Sequence, residues 1–257
     1  MKITVLVENT SCADAFQPEH GLSLYVETGK HKILFDMGQT DAFAKNAEKL
    51  GIDLGLVDIA ILSHGHYDHG GGLEKFLSIN ENAKIYIHKN AFGQYYNGTE
   101  KYIGLDLRLR EDPRLQFTDG ITTLAQDLIL YDCNDEEWTF DSWGLTEKTN
   151  GNFLPDSFTH EQYLVIREGE RQILISGCSH KGIVNIAEHF RPDVLIGGFH
   201  LNKQEDTAAL TEVAGALLRC GGLYYTGHCT GNRQYEYLKA IMTERLHDLS
   251  TGKTWTI

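Results

Sequence analysis

A chain of 257 residues that is 41% hydrophobic and 23% charged has the makeup of a folded globular protein with an ample core, which excludes a disordered chain. Its formal charge of -13, with no basic run, argues against a nucleic-acid backbone as partner, because phosphate binding needs clustered Lys and Arg. Apolar runs fall short of the roughly eighteen residues of a membrane span, and the start MKITVLVEN is too short in its apolar part for a signal peptide.

In chain order, the first third reads as strands at residues 3–7, 22–27 and 32–35, the latter two joined by the turn Thr28-Gly29-Lys30-His31. Residues 40–50 have helical spacing in Phe43, Ala47 and Leu50, with Gly51 as a stop. A buried strand is expected at 57–62, a helix at 72–79 and a strand at 84–88. Residues 91–112 and 131–156 are aromatic-rich without a clean period, which suits loops over a pocket, or aromatics packed on the surface. Order returns with a hairpin, 163–167 and 172–176, around Glu168-Gly169-Glu170. Then come a helix at 182–189, a strand at 194–196, a helix at 205–219 ended by Gly221-Gly222, a strand at 223–226 and a helix at 233–246. No linker or tandem repeat interrupts the chain, so a single domain, 1–257, is expected. Both halves run strands first and then strand–helix alternation, which predicts an α/β fold of two sheets face to face with helices outside, an αββα four-layer sandwich.

Directly after the strand VDIAIL comes Ser63-His64-Gly65-His66-Tyr67-Asp68-His69-Gly70-Gly71-Gly72. Three imidazoles and a carboxylate within six positions are nitrogen and oxygen ligands for zinc and similar divalent ions. His64 and His66, two apart in extended chain, can face one ion, while Asp68 and His69 begin the next turn and suit a second. The glycines are expected to let backbone pass close to the metals. Other polar clusters also follow predicted strands: Asp36 after KILF, Cys178 and His180 after QILIS, His200 after DVLIGGF, and His228 with Cys229 after LYYTG. Strand ends leading into helices gather on one edge of an α/β assembly, where sites are commonly built. The five cysteines are odd in number and scattered, as expected of reduced thiols in a cytoplasm.

The run H-x-H-x-D-H after a strand closely resembles the signature of the metallo-β-lactamase fold superfamily, and the resemblance covers nearly the whole chain. It implies the αββα sandwich, two divalent ions (zinc first, manganese or iron as alternatives) and His64, His66, Asp68, His69 and His228 as ligands. It gives Asp36 the role of supporting them. The superfamily usually has a bridging Asp where this chain has Cys178, a further imidazole being offered by His180, and an earlier ligand His about where His160 stands. Cys178, His160 and His180 are therefore the alternatives for completing the second half of the site. His200 is expected to bind substrate or move a proton, with Asp68 as the other catalytic group, and His20 is within reach of the substrate or part of a turn. The segments EHGLSL, GCSHKGIVNI, GGFHL and GHCTG together resemble the branch named for 7,8-dihydropterin-6-ylmethyl-4-(β-D-ribofuranosyl)aminobenzene-5′-phosphate synthase.

The expected function is a cytoplasmic dinuclear hydrolase or transferase. It would use a metal-bound hydroxide on a phosphate- or ester-bearing, anionic small molecule, a pterin-related condensation being one form of this. An iron-dependent redox enzyme and a non-catalytic ligand-sensing module are the rivals. No nucleic-acid or membrane partner is expected, and the sequence does not fix the oligomeric state.

Overall fold

The apolar strands of the first third assemble, in the computed structural model of residues 1–257, into a seven-stranded sheet. Its order is Thr254–Thr256, Lys2–Val7, Ser23–Glu27, Lys32–Phe35, Ile59–Ile61, Lys84–His88 and Leu115–Thr118. The first four run antiparallel to their neighbours, and from Lys32–Phe35 onward each strand is parallel to the next. Parallel neighbours need crossovers, and the helices Ala42–Lys49 and Leu73–Ile79 lie on two of them. Phe43 and Phe76 from these helices are fully buried in one cluster with Leu6, Val7, Leu34, Ala60 and Ile85. This sheet belongs to the first of two units, which comprises Met1–Asp119, Gly144–Glu161 and Ser250–Ile257.

The same unit holds a four-stranded sheet in the order Asn152–Pro155, Leu145–Thr149, Tyr95–Asn97 and Lys101–Tyr102. These strands occupy the two aromatic stretches read from the sequence as loops. Leu145 pairs with Asn97 and Glu147 with Tyr95 across about fifty residues, and no local period can announce such a pairing. A hairpin joins Thr149 to Asn152 through Asn150 and Gly151, both at positive φ (51° and 82°). An Asn-Gly turn of this kind matches the twist of the strands it joins.

The second unit comprises Gly120–Trp143 and Gln162–Leu249. Its seven-stranded sheet has the order Leu246–Asp248, Leu223–Thr226, Val194–Ile196, Arg171–Ile175, Tyr163–Glu168, Leu128–Tyr131 and Ile121–Ala125. The hairpin expected at 163–167 and 172–176 is present as Tyr163–Glu168 and Arg171–Ile175, and the strands from Arg171–Ile175 to Leu246–Asp248 are mutually parallel. Ile186, Leu217 and Leu238, one from each of the helices Ile183–Phe190, Thr207–Cys220 and Asn232–Met242, are buried with Leu174, Leu195 and Tyr224 of the sheet. Asp206 caps Thr207–Cys220 by accepting from the Ala208 N–H at 2.8 Å, and Gly221 at φ 84° ends it. The helix expected at 233–246 stops at Met242, and the chain turns into the edge strand Leu246–Asp248.

Asn46 is the one polar residue on the buried face of Ala42–Lys49, and its side chain is fully used. Its Nδ2 donates to the carbonyls of Leu6 and Gln17, both at 2.8 Å, and its Oδ1 accepts from the Gln17 N–H at 2.9 Å. Asn46→Leu leaves these groups unpaired while filling the space, so a loss of about 2–4 kcal/mol is expected in urea unfolding. Glu48→Ala on the exposed face of the same helix should stay within about 0.5 kcal/mol.

Candidate metal centre

Phe35 and Ile61 pair in register at the ends of adjacent parallel strands, which sets Asp36 beside Ser63. The Asp36 carboxylate is fully buried and accepts three hydrogen bonds. Its Oδ1 takes the Ser63 N–H at 2.7 Å, and its Oδ2 takes the Ser63 hydroxyl and the His69 Nδ1–H, both at 2.7 Å. Because the Ser63 proton goes to Asp36, the 2.8 Å contact between Ser63 Oγ and His64 Nδ1 has the imidazole as donor. One carboxylate therefore fixes the tautomers of two histidines and leaves Nε2 of each as the lone-pair nitrogen. This is how a carboxylate behind a histidine prepares it for a metal, so the residues present fit a divalent ion.

His64, His66 and His69 are buried, and their rings crowd together, with centroids 4.6 Å apart for His64 and His66 and 4.2 Å for His64 and His69. Burial and the neighbouring imidazoles hold His64 well below the usual histidine range, which keeps it in its neutral, metal-binding form. Asp68 lies in the first turn of the short helix Tyr67–Gly70 and is mostly buried, with His20 Nε2 at 3.2 Å from its Oδ2. His20 is thus held against Asp68, half-exposed at the rim of this group.

The glycines after the motif serve packing. A methyl group at Gly71 would overlap the carbonyl oxygens of Gln39 and Tyr67, and one at Gly72 those of Met37 and Thr40. They let the motif's helical turn lie directly on the segment after Asp36, a packing role that the sequence reading did not include.

His160 sits in the same unit with both ring nitrogens engaged. Its Nδ1 accepts from the Gly65 N–H at 2.9 Å, and its Nε2 faces Asp156 Oδ2 at 3.3 Å. Gly65 is the residue between His64 and His66, so His160 braces the loop carrying both. Burial pushes His160 down to about 4 even beside Asp156, so it is neutral near pH 7. Burial alone would raise the Asp156 carboxyl, but His160 and His66 hold it well below the usual carboxylate range. Asp156 was not among the residues singled out in the sequence. Its spacing of four from His160 in DSFTH was the available signal, and Ser63 was likewise legible only as part of the motif.

In the second unit three parallel neighbours end together, since Ile175 pairs with Ile196 and Ile196 with Tyr225. Just beyond them lie Cys178 and His180, His200, and His228 and Cys229. All except His200 are buried, and the His180 and His200 rings are 4.2 Å apart. Cys229 Sγ donates to the Cys178 carbonyl at 3.5 Å. Burial opposes ionisation of Cys229, yet Cys178 and the imidazoles of His200 and His228 draw its thiol well below the usual range. His180 and His200 also line a cavity of about 200 Å³ with Phe140, Trp143, Phe199 and Asn185. Lys203 Nζ on the Trp143 carbonyl (2.5 Å) and Asn185 Nδ2 on the Thr139 carbonyl (3.0 Å) pin the aromatic loop there. Part of the stretch read as a pocket cover does line a pocket.

The model for the metallo-beta-lactamase superfamily matches residues 17–217. The 7,8-dihydropterin-6-methyl-4-(beta-D-ribofuranosyl)-aminobenzene-5'-phosphate synthase of Methanocaldococcus jannaschii is 30% identical, across 98% of this chain and 95% of its own. An uncharacterized protein of the same organism is 32% identical over 209 residues, 77% of this chain and 79% of its own. The crystal structure of Tm1679, described as a metal-dependent hydrolase of the beta-lactamase superfamily, is 33% identical. It superposes with a TM-score of 0.87 over 100% of this chain and 99% of that one. The chain has the α/β fold of that superfamily, and it belongs to the metallo-β-lactamase superfamily.

Proposed function

We propose that the protein is a metal-dependent hydrolase or transferase acting on a phosphate- or ester-bearing, anionic small molecule. On this reading His64, His66, Asp68 and His69 supply ligands in the first unit and His180 and His228 supply ligands in the second, for two divalent ions in all, zinc first among them. The observation that carries it is the Asp36 carboxylate, which spends three buried hydrogen bonds to set the His64 and His69 imidazoles in one tautomer. Bound ions of this kind polarise a substrate oxygen and bring the acidity of water close to neutral pH.

The chain's own residues do the rest. Asp68, with His20 alongside, offers a carboxylate that can accept a proton. His200, beside His180 at the cavity wall, is placed to hand one on. Phe140, Trp143 and Phe199 suit a flat ring, which agrees with the similarity to a pterin-related synthase and supports a pterin-related condensation as the finer reading. Because the family match runs through both units, we read residues 1–257 as one functional domain. A cytoplasmic setting agrees with five free thiols, and no helix is long and apolar enough to cross a membrane.

Elemental analysis of purified protein should give about two zinc, manganese or iron ions per chain, and a complete absence of metal after reconstitution would overturn the reading. His66→Ala should keep the circular dichroism of the wild type while losing metal-dependent turnover in a screen of phosphoesters, lactones and pterin precursors; full activity would refute its role. Asp36→Asn should weaken zinc binding by roughly 10–100-fold in a chelator competition, because the acceptor of the His69 proton is compromised. His160→Ala strips an acceptor from the Gly65 N–H and a donor from buried Asp156. It should cost about 2–4 kcal/mol in stability, yet leave the metal count per chain unchanged, since both His160 nitrogens serve the protein.

A further inference from the structure

Three soft or borderline donors meet in the second unit at the ends of neighbouring strands. The thiol sulfurs of Cys178 and Cys229 and a ring nitrogen of His200 all lie within 4.8 Å of one another. Both cysteines are almost wholly buried, at 3% and 4% exposure, so the sulfurs meet inside the protein. The backbone makes room for them, because a methyl group at Gly198 would overlap Cys229 Sγ.

Two buried thiols are commonly small apolar fillers, and the histidine is what separates this group from packing. Both ring nitrogens of His200 are shut off from water, and neither makes a hydrogen bond of ordinary geometry, the Cys229 sulfur being an electrostatic partner of the ring. A buried polar atom left in that state costs about 1–3 kcal/mol, which an apolar residue at this position would avoid. The turn also holds His200 at φ 50°, and Ser179 and His228, each next in sequence to one of the cysteines, at φ 58° and 50°. Left-handed backbone at a non-glycine residue is costly, and such positions concentrate at functional sites.

We propose that Cys178, Cys229 and His200 together ligate a zinc-class divalent ion through two thiolates and one imidazole. Zinc bonds of about 2.3 Å to sulfur and 2.0–2.1 Å to nitrogen set neighbouring tetrahedral ligand atoms about 3.5–3.8 Å apart, inside the 4.8 Å within which these three atoms lie. Binding releases the thiol protons to solvent, and the ion's charge compensates the two buried thiolates. One His200 nitrogen on the ion leaves the other for proton transfer. The inference rests on the metal-dependent reading above and adds sulfur to its donor set; Cys229 lies beyond the residues matched by the family model.

The test uses the whole protein, stripped of metal under reducing conditions and titrated with cobalt(II). Thiolate ligation gives an intense sulfur-to-cobalt charge-transfer absorption in the near ultraviolet, which imidazole and carboxylate ligands do not. The wild type should show this band. Cys178→Ser and Cys229→Ser should each reduce it to about half or less, the double variant should lose it, and exposed Cys12→Ser should retain it. His200→Gln, a check should a cysteine variant misfold, should keep the band but shift the visible cobalt transitions. Cobalt bound without the band, a band surviving the double variant, or a Cys178–Cys229 disulfide in the reduced preparation would each overturn the proposal while leaving the metal reading intact. No cobalt bound at all would overturn both.

Discussion

The first unit's candidate metal centre depends on a buried carboxylate whose oxygens are met by donors away from water. Desolvating a carboxylate costs several kcal/mol, and it is tolerated only where donors surround it. Asp36 accepts from a backbone amide, a hydroxyl and an imidazole, while its own N–H bonds the Ile61 carbonyl at 2.9 Å and its carbonyl accepts from Ser23 Oγ at 2.8 Å. Charge-assisted bonds contribute about 1.5–3 kcal/mol each, enough to offset the burial and the left-handed backbone that Asp36 adopts at φ 58°. That conformation turns the chain at the end of KILF and points the carboxylate across to the next strand end. Without the parallel pairing of Phe35 with Ile61, Ser63 would not be there to meet it.

The same device recurs at other strand ends. Asp36, Ser179, His200 and His228 all lie at φ between 50° and 58°, each within a few residues of the end of a parallel strand. Glycine would reach this region without strain, but it carries no functional group. Strain of about 1–3 kcal/mol per position persists only where the surrounding structure over-determines it, and such positions concentrate at sites. Packing alone gives no reason to hold two histidines this way.

What the sequence made legible followed from this geometry. Runs such as KILF and QILI are nearly all apolar because parallel strands are buried on both faces, so their ends are easy to find and the polar residues just past them stand out. Asp156 did not stand out because its partner His66 lies in a distant motif, and only folding joins the two, while a spacing of four from His160 in a loop is a weak signal by itself. The four-stranded sheet was missed because its strands are short and partly exposed, with no two-residue alternation in Lys101–Tyr102 or Asn152–Pro155. One local signal was present even there: Asn150-Gly151 between Lys148 and Phe153 is a hairpin turn by composition. Cys229 stood in GHCTG but was overshadowed by the histidine before it. Its meaning depends on Cys178, fifty-one residues earlier, whose strand end is not even adjacent in the sheet order.

Donor chemistry gives the two units different characters. The first offers imidazole nitrogens and carboxylate oxygens, a set that zinc, iron and manganese can all use. The second adds two thiols to its histidines, and sulfur favours zinc or iron over manganese. A protein with both kinds of donor would bind manganese unevenly, well through the first set and poorly through the second. Zinc suits both, since it accepts nitrogen, oxygen and sulfur in the same tetrahedral geometry. Were zinc the ion at both, hydrolytic or transfer chemistry would follow rather than redox chemistry, because zinc has no accessible second oxidation state.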